Sequence, residues 1–159
     1  MASVRADIKF QIFKNFDPEK PFADVLRELK AFHTNAHFYC FLAGLAYSKK
    51  LKPIATKKTN NIGEIRDYTF GDQGLSGQVY SIALNDTDDY SVLKDDDKCY
   101  KIFEGYVNAG YKLLKEKSET HTSAEEFVEE LLAEVKNRAE KNKKFEINVK
   151  ETAEEPPGL

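Results

Sequence analysis

Residues 34–54 constrain the fold more than any other stretch, because they predict a helix that is apolar on all sides. Thr34 or Asn35 can cap its N-terminus, and Pro53 forbids its continuation. About four turns of nearly all-apolar side chains lie between these signals. A cluster of small residues, Ala43, Gly44 and Ala46, lies within this helix. A helix without a polar face is normally surrounded by its domain, so we expect it at the centre of the core, with close helix approach at the small residues.

The remaining pattern predicts a mainly helical, single-domain protein of about five helices over residues 1–142. Apolar residues at helical spacing mark four further helices, at residues 22–32, 75–84, 95–117 and 123–142. Alternating apolar residues at 8–13 predict a short N-terminal strand. Residues 49–63 are polar and basic, which predicts a loop or mobile arm, and residues 68–70 predict a short strand or turn.

The charged tail, residues 143–159, contains one segment that resembles a strand. Its apolar residues alternate with polar ones at Phe145, Ile147 and Val149. Such a strand could pair with the N-terminal strand, within the chain or across a homodimer, or with a partner protein. The alternative is a disordered extension, which is what we expect of residues 154–159.

Composition indicates a folded, cytoplasmic protein. The formal net charge is −3 and 32% of residues are charged, so a global basic field for nucleic acid is absent. Cys40 and Cys99 lie among apolar or aromatic neighbours, which is typical of reduced core cysteines. The longest apolar run, residues 38–47, is too short to span a bilayer. We therefore expect no membrane partner.

His33, His37 and Cys40 are the nearest approach to a metal site, since their spacing places them on one face of a helix. The simpler interpretation is that His33 precedes the helix, His37 lies in its first turn and Cys40 belongs to the core. We accordingly predict no metal and no other cofactor.

Other motifs fail a chemical test. The acidic run at residues 86–97 has Tyr90 and Ser91 where a calcium loop needs an oxygen ligand and a glycine. The glycine-rich stretch at 71–77 lacks the Gly-Lys-Ser/Thr ending of a phosphate loop. Ser76 and Ser81 have no nearby histidine to activate them. We assign no catalytic residue, although a small enzyme with an unrecognised site stays a third hypothesis.

One basic cluster carries a hypothesis of DNA contact. It comprises Lys49, Lys50, Lys52, Lys57 and Lys58, with Arg66 shortly after. The five lysines fall within ten residues that contain no acid. Phosphate affinity depends on local charge, so such a cluster can bind DNA despite a negative net charge. The alternative is a solvated loop whose lysines cap the preceding helix.

Several segments together resemble one bacterial family. They are FHTNAHFYCFLAGLAYSKKLKPI (32–54), IRDYTF (65–70), IALNDTDDYSVLKDDDKCYKIFEGYVNAGYKLL (82–114) and the final amphipathic helix. Residues 104–110, EGYVNAG, are the most specific part, and the tail after residue 142 departs from the usual family ending. The chain resembles the fourth accessory protein of bacterial DNA phosphorothioation gene clusters, the Dnd-system-associated accessory family.

The resemblance implies a cytosolic component of a bacterial DNA-modification or anti-phage defence system, and it implies no chemistry. We expect a non-enzymatic adaptor that binds a larger protein of that system. The alternative is a small DNA-binding module that uses the lysine cluster. The strand–helix–helix order is also similar to ribbon-helix-helix regulators, whose strand enters the major groove. The outward candidates on that strand are Lys9, Gln11 and Lys14.

Overall fold

The computed structural model describes residues 2–6, 8, 16, 19–57, 64–121, 123–134, 136–137 and 140. In chain order, its elements are β1 (Ser3–Arg5), α1 (Phe22–Glu28), α2 (Asn35–Ser48), β2 (Glu64–Arg66), α3 (Asp67–Asp72), α4 (Ser76–Thr87), a 3-10 helix (Tyr90–Lys94), α5 (Asp96–Ser118) and α6 (residues 124–134). The prediction of a mainly helical fold with a short N-terminal strand is confirmed.

Helices α2 and α5 pack against each other at the centre of the molecule. The Thr34 side chain caps α2 by accepting a hydrogen bond from the His37 backbone N–H. A Cβ atom built on Gly110 of α5 would lie 2.0 Å from the carbonyl oxygen of Leu42, so the two backbones touch there. Gly44 instead faces the Gln78 side chain, 3.3 Å from its own ideal Cβ position. The close approach that we expected from α2 is therefore made chiefly by a glycine of α5.

The sheet pairs β1 with β2 in antiparallel register, with Val4 opposite Ile65. Ala2, Val4 and Ala6 are buried, so apolar side chains alternate along the first residues of the chain. The sequence analysis placed the N-terminal strand at 8–13 instead. Ile8 is buried in a turn, and the rest of that prediction lies outside the described residues.

Residues 68–70 form part of helix α3, so the prediction of a strand or turn there is wrong. The side chain of Asp67 accepts the Tyr68 backbone N–H at 2.8 Å in the first turn. Phe70 is fully buried against the rings of Tyr100 and Phe103 on α5, and this tertiary contact fixes the helical turn. The predicted domain boundary at 142 and the predicted strand residues Phe145, Ile147 and Val149 lie outside the described residues.

Candidate functional site

Helix α2 ends in a left-handed turn that begins the lysine segment, which we define as residues 49–57. The Lys50 backbone N–H donates to Tyr47 and the Leu51 N–H donates to Ala46, both at 3.0 Å. Lys50 has a φ angle of 56°, the conformation that ends many helices. Positive side chains here also face the negative end of the α2 dipole. The start of the lysine segment therefore ends α2 with a left-handed turn, and its positive charges stabilise that end of the helix.

The middle of the lysine segment lies along α5. The Ile54 N–H donates to the Gly105 carbonyl at 2.9 Å, and the Asn108 side-chain amide donates to Ile54 at 3.0 Å and to Thr56 at 2.7 Å. A Cβ atom on Gly105 would lie 2.7 Å from the Pro53 Cβ, so the glycine permits this contact. The sequence predicted a loop or mobile arm at residues 49–63. Within it, residues 53–56 are fixed to α5 by these contacts.

A shallow groove of about 220 Å³ separates the lysine segment from α5. Its lining residues are Leu51, Lys52, Ile54, Ala109, Lys112, Leu113 and Glu116. The floor is apolar, and Ile54 is 39% exposed despite its anchored backbone. Two lysines and one glutamate give the rim a net positive charge. We call this feature the basic groove.

The structure describes four of the five predicted lysines, Lys49, Lys50, Lys52 and Lys57, all exposed. Lys49 lies 4.0 Å from a carboxylate oxygen of Glu134 on α6, and Lys117 lies 3.6 Å from the other oxygen. This shared glutamate reduces the positive field at the first lysine, whereas Lys52 lines the basic groove. Lys58 lies outside the described residues.

Arg66 is not part of the same surface. It belongs to β2 and lines a cavity with Asn35 and Tyr68 at the N-terminal end of α2. Lys49 caps the opposite end of that 14-residue helix, which places the two helix ends about 20 Å apart. The described lysines thus follow the C-terminal end of α2, whereas Arg66 lies at its N-terminal end.

A second charged region connects α4 to α5, and we call residues 88–97 the acidic turn. The Asp89 carboxylate accepts the backbone N–H and the hydroxyl of Ser91, at 2.9 Å and 2.8 Å. These hydrogen bonds lower the pKa of Asp89. Val92 is buried, and its carbonyl accepts a hydrogen bond from the Cys99 thiol at 3.1 Å. The turn is therefore fixed both by capping and by an apolar anchor.

Two apolar side chains project from the acidic turn. Tyr90 is 79% exposed and Leu93 is 39% exposed. The surrounding carboxylates belong to Asp86, Asp88, Asp89, Asp95, Asp96 and Asp97. Several make hydrogen bonds within the fold, since Asp95 caps α5 and Asp96 accepts the Tyr80 hydroxyl at 2.7 Å. The sequence shows Tyr90, Val92 and Leu93 within an acidic run, but it does not tell which of them the fold buries.

The histidine and cysteine candidates lie around the start of α2. The His33 and His37 rings are 6.3 Å apart, and the His37 Nδ1 atom is 2.8 Å from the Thr34 hydroxyl. Cys40 is buried, and desolvation raises the pKa of its thiol to about 12, which disfavours the thiolate that a metal would need. Within the described residues, no group of three or more His, Cys, Asp or Glu side chains is arranged to hold a metal ion.

A sequence model of one family matches residues 20–150, which is most of the chain. The family is described as DNA sulphur modification system-associated protein 4. The chain belongs to this family. Membership confirms the resemblance to the Dnd-associated accessory family and links the protein to a DNA sulphur modification system.

The region matched to DNA sulphur modification system-associated protein 4 includes the lysine segment, the basic groove and the acidic turn, and it begins after β1. No curated protein and no solved structure matches the chain. In the part of this family member that the structure describes, no helix is both long and apolar enough to cross a bilayer.

Proposed function

We propose that this protein is a non-enzymatic adaptor that acts in the cytoplasm by binding a larger protein of its DNA sulphur modification system. The observation that carries the proposal is the pair of exposed apolar side chains, Tyr90 and Leu93, on the acidic turn. Tyrosine is enriched where proteins contact each other, because its large ring covers much surface at a low entropic cost.

The construction of the turn supports the same role. Val92 anchors it from below, and the Asp89 carboxylate holds its first residues through Ser91. A surface that is already ordered loses little conformational entropy when it binds. The flanking carboxylates favour a basic partner surface and raise the rate of encounter with it.

The test is co-purification of the tagged protein with the other proteins of the system. We expect a Tyr90→Ser, Leu93→Ser double variant to capture at least about tenfold less of the partner protein, which is the size of effect that loss of an aromatic hot spot produces. Tyr68→Ser is the matched control, since Tyr68 is also an exposed tyrosine, at 58%, and belongs to α3 rather than to the acidic turn. Undiminished capture by the double variant, with unchanged melting temperatures, would exclude the acidic turn as the binding element.

A DNA-binding module is the second candidate function, and the anchored lysine segment favours it. Lys50, Lys52 and Lys57 are exposed on one short segment whose backbone is fixed to α5 at Ile54. The ribbon-helix-helix version has less support. There the strand pairs with a second chain, whereas β1 already pairs with β2 on one edge.

Titration of duplex DNA at low and physiological salt tests this candidate. Reversal of Lys50, Lys52 and Lys57 to glutamate should abolish binding, and wild-type affinity should fall steeply as salt rises. Reversal of three lysines elsewhere, Lys30, Lys94 and Lys101, is the control because it changes the net charge equally. Equal losses in both variants would show that only overall charge matters and would remove the lysine segment as a specific site.

A further inference from the structure

The basic groove combines an apolar floor with a positively charged rim. Its floor consists of Leu51, Ile54, Ala109 and Leu113, and Lys52 and Lys112 stand at its rim. The hydrogen bonds that join the lysine segment to α5 hold one wall against the other. Lysines beside an apolar floor attract carboxylates, so the groove fits an acidic segment that presents an aliphatic or aromatic side chain.

The acidic turn is such a segment, and this same chain carries it. Leu93 and Tyr90 project from it, and Asp88, Asp89 and Asp97 flank them. The described acidic turn carries five aspartates, at positions 88, 89, 95, 96 and 97, against the single lysine Lys94. Its charge and its apolar content are therefore the complement of those of the basic groove.

The two features cannot meet within one molecule. The acidic turn ends at the start of α5, whereas the groove begins near Ala109, thirteen residues further along the same rigid helix. That separation corresponds to about 20 Å along the helix axis. The turn and the groove of this chain can therefore meet only between two copies.

We propose that the acidic turn of one copy docks in the basic groove of a second copy. A two-fold pair would use both contacts at once, and a head-to-tail arrangement would build longer chains. One turn in one groove is small beside a standard interface of about 1,600 Å², so association should depend on concentration and weaken with salt. The inference rests on the proposed function in treating the turn as a protein-binding element, and the larger partner would compete with self-association for it.

Charge exchange between the two surfaces tests the proposal. One variant carries Lys52→Glu and Lys112→Glu in the groove; the other carries Asp88→Lys and Asp97→Lys in the turn. Asp88 has a φ angle of 51°, which lysine tolerates here because Lys30 and Lys50 adopt φ angles of 58° and 56°. These four positions avoid Asp89, Asp95 and Asp96, whose carboxylates make hydrogen bonds that fix the turn and the α5 terminus.

Sedimentation across a concentration series is the measurement. Wild type should associate. Each variant alone should associate at least about tenfold more weakly, because the exchanged side chains then face groups of the same charge on the second copy. An equimolar mixture of the two variants should recover the wild-type mass, since both contacts are again between opposite charges. A mixture that stays monomeric, or a wild type that stays monomeric throughout, would overturn the proposal.

Two further measurements keep the outcome interpretable. If either charge variant melts well below wild type, Leu93→Ser replaces it; this change should weaken association about tenfold, and unchanged association would count against docking. The groove variant keeps an intact turn, so it should still capture the system's larger protein. Loss of self-association with retained capture supports both ideas, whereas retained self-association with lost capture contradicts both.

Discussion

The lysine segment and the acidic turn are both charge-rich connections that lie against α5, yet different groups hold them there. The lysine segment is held by hydrogen bonds from Asn108 and by the close approach of Pro53 to Gly105. The acidic turn is held by burial of Val92 and by the capping carboxylate of Asp89. A groove lies beside the first region, whereas in the second Val92 is buried and Tyr90 and Leu93 stay exposed.

The comparison teaches that the charge of a connection does not determine how tightly it is held. The groups that hold both connections are on α5. Gly105 and Asn108 contact the lysine segment, and Cys99 bonds to the acidic turn. These partners lie within ten residues of each other on α5, so one helix organises both candidate surfaces.

The largest effect is expected from a change in the contact between α2 and α5, because both regions lie against α5. Gly110→Ala would place a Cβ atom 2.0 Å from the Leu42 carbonyl oxygen and force α2 and α5 apart. We expect destabilisation of about 3 kcal/mol, measured by urea unfolding. Gly77→Ala is the control, since nothing lies within 4 Å of its Cβ position, and it should change stability by less than about 1 kcal/mol. Equal midpoints for the two variants would refute the close approach.

A smaller effect should loosen the acidic turn alone. Val92→Ala removes buried apolar volume beside Ala83 and Cys99, so we expect a loss of about 1–2 kcal/mol and faster amide exchange in the turn. Tyr90→Ala should leave stability nearly unchanged, because Tyr90 is exposed. If exchange in the lysine segment accelerated equally in Val92→Ala, the two regions would share one anchor and the contrast would fail.

The converse change should loosen the lysine segment alone. Asn108→Ala removes the hydrogen bonds to Ile54 and Thr56, which are partly exposed, so we expect a loss of about 1 kcal/mol. Amide exchange of residues 54–57 should accelerate while that of the acidic turn stays constant. Lys101→Ala, an exposed change on the same helix, is the control. Unchanged exchange in the segment would show that Gly105 and the backbone alone retain it.

The smallest expected effect concerns α6, which contacts the lysine side of the molecule through Glu134. His121 bonds to the Lys117 carbonyl and to the Glu130 carboxylate, and these partners raise its pKa above 6.5. A raised pKa adds stability below the unfolded-state value of 6.5, and that stability is lost as pH rises through the folded-state value.

Wild type should therefore lose slightly more stability than His121→Gln between about pH 6 and about pH 8.5, as judged by urea midpoints. His33→Gln, an exposed histidine before α2, is the control and should follow wild type. A His121→Gln variant whose pH dependence equals that of wild type would show that the histidine contributes nothing to the α5–α6 junction.

Helix positions followed from local signals that do not need a partner. Thr34, one of two candidates, caps α2, and Asp95 caps α5 where the sequence predicted a helix to begin. The N-terminal strand was predicted at 8–13 and not at β1 because β1 is short, and Ala2 and Ala6 carry little apolar signal. Tyr68 and its neighbours were misassigned because the burial of Phe70 against α5, a contact distant in sequence, selects the helical turn.

The sequence by itself determined the helical class, the central place of α2, the family and the two clusters of charge, since these depend on composition, spacing and local capping. Only the tertiary structure decided which side chains of each charged cluster are exposed and which groups hold the cluster in place. Arg66 separated from the lysines, Asn108 joined the lysine segment to α5, and Tyr90 rather than Val92 was left outside. The physical reason is that burial and hydrogen-bond pairing depend on which surfaces meet, and residues far apart in the chain supply those surfaces.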